Sequence, residues 1–246
     1  MEPFRELVKI TGEAIGRYSL ICEGDRILAG LSGGKDSFAL LHVLYHLRKK
    51  APVKFDVIAA TFDPGFPEFN AKAIADYCRE QGWEHHTVSL DIPAILAEKE
   101  YTQTPCVLCS RLRRGKLYGL ARELQCGKLA LGQHFDDIAV SFLMSLFRGQ
   151  GITTMGPNVQ NQTGDLRIIR PLALADEELI RNYTATLSLP SAGICQYRSE
   201  LESGDRAWFR NHLDELAQRI PNLRSQMKRS LSNLQPEYLL DPRFVR

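Results

Sequence analysis

Residues 26–37 read Arg26-Ile27-Leu28-Ala29-Gly30-Leu31-Ser32-Gly33-Gly34-Lys35-Asp36-Ser37, and the change of character inside that stretch decides the fold. Arg26–Leu31 is a short apolar run with the length and composition of a buried strand. It ends on a glycine-rich turn. From Asp36 to Lys49, Phe38, Leu40, Leu41, Leu44 and Leu47 recur near helical spacing. In the turn, Gly33 and Gly34 let the backbone bend sharply and approach a ligand where a Cβ would obstruct it. The hydroxyls of Ser32 and Ser37, with the free N–H groups at the start of the helix, then point at an anion. Lys35 adds a positive charge, and Asp36 can help hold a Mg²⁺ that neutralises phosphate oxygens. The octet is not a Walker A loop, which needs G-x-x-x-x-G-K followed by Ser or Thr. A ligand-free turn is the bland alternative, but the flanking strand and helix supply the context that favours phosphate binding.

Outward from this unit the same alternation continues. An amphipathic helix is expected over residues 4–18. Strands follow at Phe55–Phe62, His85–Leu90, Lys128–Leu131 and Leu166–Ile169, and helices at Ala71–Gln81, Leu112–Leu124 and Ile138–Phe147. Short connections between alternating elements predict an α/β fold, a parallel sheet with helices on both faces. Such sheets bind ligands beyond the carboxyl ends of their strands, which directs attention to the turns after Leu31, Phe62 and Leu131. Asp63 closes the second strand, and Gly132, Gln133 and His134 follow the fourth. Asp136 and Asp137 read either as N-terminal helix caps or as metal or nucleotide contacts, with Asp137 the stronger candidate for the second role. Beyond Pro190 there is no strand signal, only two small helices at Ala207–Leu216 and Leu223–Leu231. The expected division is therefore a domain at 1–190 and a helical C-terminal extension packed on it at 191–246.

Composition is that of an ordinary globular chain: 246 residues, 44% hydrophobic and 24% charged, with a net charge of +2. No apolar run approaches the roughly 18–20 residues of a membrane span, and the first residues lack the h-region of a signal peptide. A cytoplasmic protein without a membrane partner is expected. The small net charge gives no general attraction for nucleic acid. Six cysteines in a cytosolic setting argue against structural disulfides. Cys106 and Cys109 form a C-x-x-C that suggests metal or redox chemistry, the alternative being an inert half-buried pair. Neighbouring arginines should lower thiol pKa values there. Cys22, Cys78 and Cys126 read as ordinary buried cysteines.

The octet Gly30–Ser37 resembles the PP-loop of the ATP pyrophosphatases, of the adenine nucleotide hydrolase-like fold, in which the loop holds the leaving pyrophosphate. Taken with PGFPEF, PCVLCSRLRRGKLY, LALGQHFDDI and IIRPLA, from about Glu23 to Cys195, the chain resembles the tRNA 2-thiocytidine synthetases. That resemblance implies ATP as cosubstrate, adenosine contacts at the end of the second strand (Ala60 to Asp63, including Thr61), and nucleotide contacts at Gly132, Gln133 and His134. It implies adenylation of the C2 oxygen of a tRNA cytosine and its replacement by sulfur, with a 4Fe-4S cluster held by three cysteines. Two of these match Cys106 and Cys109. The third comes from a later P-C-x-x-C, where this chain reads Pro190-Ser191-Ala192-Gly193-Ile194-Cys195 and leaves Cys195 as the local candidate. The resemblance further implies a sulfur donor such as a cysteine desulfurase, and a homodimer is a candidate assembly.

Arg111, Arg113 and Arg114 stand beside the cysteines, in a segment to Lys128 whose one acidic residue is Glu123. They read as a solvated helix face or as contacts to RNA phosphates. Basic and acidic residues nearly balance in the C-terminal part, which shows no separate nucleic-acid footprint. Two further readings are a PP-loop cluster enzyme moving sulfur into or out of a small molecule, and a nucleotide-binding protein with a structural zinc.

Overall fold

In the computed structural model of the chain, which describes residues 2–98, 105–193, 195, 197 and 203–244, the strand ahead of the glycine turn is β1 (Asp25–Gly30). Ile27, Leu28 and Ala29 are fully buried although successive side chains point to opposite faces. Such a strand must be covered on both sides. Ile27 and Ala29 join a core with Val57 and Ala59, under α1 (Pro3–Arg17), α2 (Lys35–Lys50) and α3 (Ala71–Glu80). Leu28 joins Ile58, Ala60 and Leu129 on the other face, under Leu117, Leu120 and Ala121 of α5 (Pro105–Glu123). Helices therefore lie on both faces of the sheet.

Six strands stand in the order β3-β2-β1-β4-β6-β5, where β2 is Phe55–Asp63, β3 His85–Ser89, β4 Lys128–Ala130, β5 Asn158–Gln160 and β6 Arg167–Ile169. All neighbouring pairs are parallel except β5 with β6. The expected parallel sheet thus gains an antiparallel edge strand that the sequence reading lacks. From β1 the chain moves outward through β2 to β3, then returns to place β4 on the far side of β1. Right-handed crossovers require the outward helices and the returning helix to use opposite faces, as α2 and α3 against α5 do.

Two helices go beyond expectation. They are α4 (Ile92–Glu98) and α7 (Glu177–Thr184), which follows Asp176 at its N-cap and buries Ile180, Tyr183 and Thr184. Two others begin earlier than expected: α5 at Pro105 and α6 (Phe135–Phe147) at Phe135. The C-terminal helices α8 (Asp205–Arg219) and α9 (Leu223–Leu231) pack on α6, with Phe209 and Leu213 against Phe135, Ala139 and Val140. Among the described residues, no helix is long and apolar enough to cross a membrane.

Candidate active site

β1 and β4 are neighbours whose following chains depart to opposite sides, so a crevice opens beyond their carboxyl ends. The turn after β1 is tied into a cradle. Ser37 Oγ donates to the Gly34 carbonyl at 2.8 Å, the Ser32 N–H donates to Ser37 Oγ at 3.2 Å, and the Gly34 N–H donates to Ser32 Oγ at 3.4 Å. Gly33 has φ +82°, and a Cβ there would overlap the Ala192 methyl. Gly132 lies so close to the start of α2 that a Cβ would stand 2.9 Å from the Asp36 carbonyl carbon and oxygen. The two loops therefore meet backbone to backbone, as only glycine permits. Gly34, by contrast, has ordinary extended dihedrals (φ −82°, ψ 155°) and an added Cβ would meet only Ser32 Oγ at 3.5 Å.

Charges line this crevice in alternation. Lys35 Nζ donates to Asp36 at 2.9 Å and to Glu177 Oε1 at 2.8 Å. Burial opposes its charge, yet those two carboxylates prevail and its pKa lies above the ordinary value. Burial likewise works to raise the pKa of Glu177, but the hydrogen bond from Lys35 and the charges of Lys35 and Arg210 hold it below its usual range. Arg210 of α8 donates to Glu177 Oε2 and, at 2.9 Å, to Asp137 Oδ1. Arg206 reaches Asp137 at 3.4 Å. The ring of His134 is buried with Nε2 3.8 Å from Asp36 and 3.5 Å from Asp137, and its Nδ1 makes no hydrogen bond. Gln133 accepts from Arg170 Nε at 2.5 Å.

The two adjacent aspartates divide their duties. Both sit in the first turn of α6, not ahead of it. Asp137 accepts the His134 backbone N–H at 3.2 Å, a capping contact, while its other oxygen faces the arginines. Asp136 is 1% exposed and accepts from Arg224 Nε at 2.6 Å and from the Glu177 N–H at 2.9 Å. Burial pushes its pKa up, but those two donors prevail and lower it. It fastens α7 and α9 to the base of the crevice.

Thr61, expected among the adenosine contacts, lies within β2. It is fully buried, and its hydroxyl shares a 2.8 Å hydrogen bond with His85 Nε2, so its side chain does not line open space. Asp63 lies at the end of β2, where one carboxylate oxygen accepts the Gly65 N–H at 2.9 Å.

On the cysteine side, Cys106 and Cys109 lie in the first two turns of α5, not in a loop before it. Cys109 packs with Cys195 and Tyr197 around Phe62, Phe66 and Ile92. Burial pushes the Cys109 thiol up and the nearby Cys195 adds to this, outweighing the Arg113 charge. The expected lowering of this thiol's pKa is thus reversed, because desolvation of a thiolate costs more than one exposed guanidinium returns. The segment at 191–193 ties this side to the phosphate loop. Ala192 abuts Gly33, its carbonyl accepts the Asn70 N–H at 2.9 Å, and Gly193 (φ +81°) lies against the Glu68 carbonyl. Among the described residues, no three His, Cys, Asp or Glu side chains converge as a metal site. Cys78 and Cys126 are buried as expected, whereas Cys22 is exposed because it lies in the turn before β1. Arg111, Arg113 and Arg114 are exposed on α5, with no ion pair to another described residue.

The PP-loop domain model matches residues 7–212. Among curated proteins, the chain is 39% identical to the tRNA-cytidine(32) 2-sulfurtransferase of Syntrophotalea carbinolica over 97% of its own length and 92% of that protein's. It is 38% identical to the enzyme of the same name from Geobacter sulfurreducens, covering 97% and 93%. The chain belongs to the PP-loop tRNA-cytidine 2-sulfurtransferase family. It is an ATP-dependent sulfurtransferase. Among solved structures, the U34-tRNA thiolase NcsA of Methanococcus maripaludis, determined with its 4Fe-4S cluster, matches with TM-score 0.74 at 23% identity, over 95% of this chain and 80% of that one. At that identity the likeness speaks for the fold. In this PP-loop enzyme, sequence reasoning missed Glu177, Arg170, Arg206 and Arg210. Glu177 carried only a helix-start signal, and the arginines reach the crevice through tertiary packing.

Proposed function

We propose that this PP-loop sulfurtransferase adenylates the C2 oxygen of cytidine 32 in a tRNA and replaces that oxygen with sulfur. The observation that carries the reading is the placement of a phosphate cradle one short segment, residues 191–193, away from Cys109 and Cys195. Ser32, Gly33, Gly34, Lys35 and Ser37 receive the β and γ phosphates, with Asp36 and Asp137 available to a Mg²⁺. Gly132, Gln133, His134 and Asp63 border the nucleotide. Attack of the C2 oxygen on the α phosphorus expels pyrophosphate, and the positive charge of Lys35 stabilises the leaving group. Sulfide then adds at C2 as the nucleophile, and AMP departs with the former oxygen, with no change of oxidation state.

Cys106, Cys109 and Cys195 are the thiols assigned to a 4Fe-4S cluster. Their soft donor chemistry suits iron and sulfide, and Cys109 and Cys195 already share one pocket. Three thiolates on four irons leave one iron without a protein ligand, and that is the chemistry the bound cluster supplies. Phe62, Phe66 and Ile92 pack beside Cys109 and Cys195 and would keep water from a bound cluster. Arg111, Arg113 and Arg114 are assigned to RNA phosphates. We further assign residues 1–190 to the catalytic domain and 191–246 to a helical extension, a cysteine desulfurase as sulfur donor, a cytoplasmic location and a homodimeric assembly. Mass spectrometry of tRNA nucleosides from cells lacking the gene tests the reading. Loss of 2-thiocytidine at position 32 is expected, and unchanged tRNA thiolation would turn attention to a small-molecule acceptor.

A further inference from the structure

Glu177 holds two cations at once. One oxygen accepts Lys35 of the phosphate loop at 2.8 Å and the other accepts Arg210 of the C-terminal extension. The same guanidinium reaches Asp137 at 2.9 Å. Asp36, Asp137 and Glu177 thus place three carboxylates around Lys35 and His134, where a triphosphate would bring further negative charge. A lysine that turns toward phosphate must leave Glu177. If Glu177 had no second partner, it would retain Lys35 and repel the incoming phosphates, an effect that partial burial strengthens. Arg210 removes that conflict, because its planar fork serves two carboxylates together. Arg206 touches Asp137 but not Glu177 among the contacts made here, so it cannot stand in.

We propose that Arg210 is a positioning residue of the nucleotide step, holding Glu177 and Asp137 so that Lys35 is released to the phosphates of ATP. The inference rests on the phosphate-loop reading above. Conversion of MgATP to AMP and pyrophosphate is measured with the full-length enzyme and its tRNA, beside thermal unfolding of each variant. Arg210→Gln is expected to raise the KM for MgATP by about tenfold, with a smaller change in kcat. Arg210→Lys should recover part of the loss. Adding Glu177→Gln to Arg210→Gln should recover most of it, since Lys35 then loses its charged partner on α7 and keeps its chain neighbour Asp36. Arg148→Ala, which loosens the same helix at Asp205, should leave KM unchanged. An unaltered KM in Arg210→Gln overturns the proposal. So does a double variant that is worse than the single one, or an equal KM rise in Arg148→Ala, since either makes Arg210 a fastener of α8. A wild-type enzyme that binds no ATP overturns the phosphate-loop reading itself, an outcome distinct from the others.

Discussion

At the phosphate end of the crevice, Ser32, Gly34 and Ser37 already hold one another through hydrogen bonds, and Lys35 is fixed between Asp36 and Glu177. At the cysteine end, Cys109 and Cys195 share an apolar pocket, but no third ligand-type side chain among the described residues completes a metal site with them. The contrast follows from the chemistry each end performs. Developing charge on a leaving pyrophosphate is stabilised by backbone dipoles set in place beforehand, with Lys35 turning to the phosphates as they bind and before reaction begins. A metal site can be drawn together by the binding free energy of the metal, with release of the thiol protons.

Removing one thiol should break this contrast most sharply. Cys109→Ala is expected to abolish iron content and tRNA thiolation while leaving ATP titration curves unchanged, and Cys106→Ala and Cys195→Ala should behave alike. Iron analysis and nucleoside mass spectrometry read the outcome; a Cys195→Ala enzyme with full iron and activity would return that residue to a packing role. Buried Cys78 and Cys126 should tolerate Ala at about 1–2 kcal/mol of stability, and exposed Cys22 at less than about 0.5 kcal/mol.

Next in size is the phosphate loop itself. Gly33→Ala combines a left-handed backbone, costing about 1–2 kcal/mol, with overlap on Ala192. Chemical denaturation should register a loss of at least about 2 kcal/mol, partly restored by Ala192→Gly. Gly34→Ala should leave stability within about 1 kcal/mol yet weaken ATP binding, because its Cβ enters space that no protein atom fills. Equal losses in both variants would mean that the loop's glycines serve the fold alone.

Arg224→Ala tests the buried carboxylate beneath the crevice and should cost about 2 kcal/mol near neutral pH. The folded pKa of Asp136 is depressed from its ordinary 3.8. Its contribution is therefore complete above that value and is lost as pH falls through the lower folded one. The deficit of the variant should narrow over that acid range, and denaturation at a series of pH values shows it. A pH-independent deficit would assign the loss to packing of the Arg224 stem.

The smallest effect belongs to the exposed arginines. Changing Arg111, Arg113 or Arg114 to Ala should lower the salt slope of tRNA binding by about one unit each. An unchanged slope in all three returns them to solvated side chains.

How much of this was legible depended on how local the signal is. The unit at 26–49 carries its own strand, turn and helix, so its fold and its phosphate chemistry could be read together. β5 has three residues, too few to display a period, whereas the apolar run at Leu166–Ile169 marked β6. Glu177 opens a helix that the sequence reading lacks, and its bond to Lys35 joins residues 142 apart, so nothing local marks such a pair. The altered pKa of Cys109 was missed for a related reason. The arginines beside it are visible in the chain, whereas the burial that outweighs them exists only after folding.

The wedge formed by residues 191–193 also sets a tolerance in length. With Ala192 against Gly33 and Gly193 against the Glu68 carbonyl, that stretch of chain has no slack on either side. One inserted residue would advance the chain by about 3.3–3.8 Å, whereas a metal–thiolate bond of the kind made by zinc is only about 2.3 Å long. The segment works as a gauge block between the two reactive ends, fixed both in its residue count and in the glycine at 193.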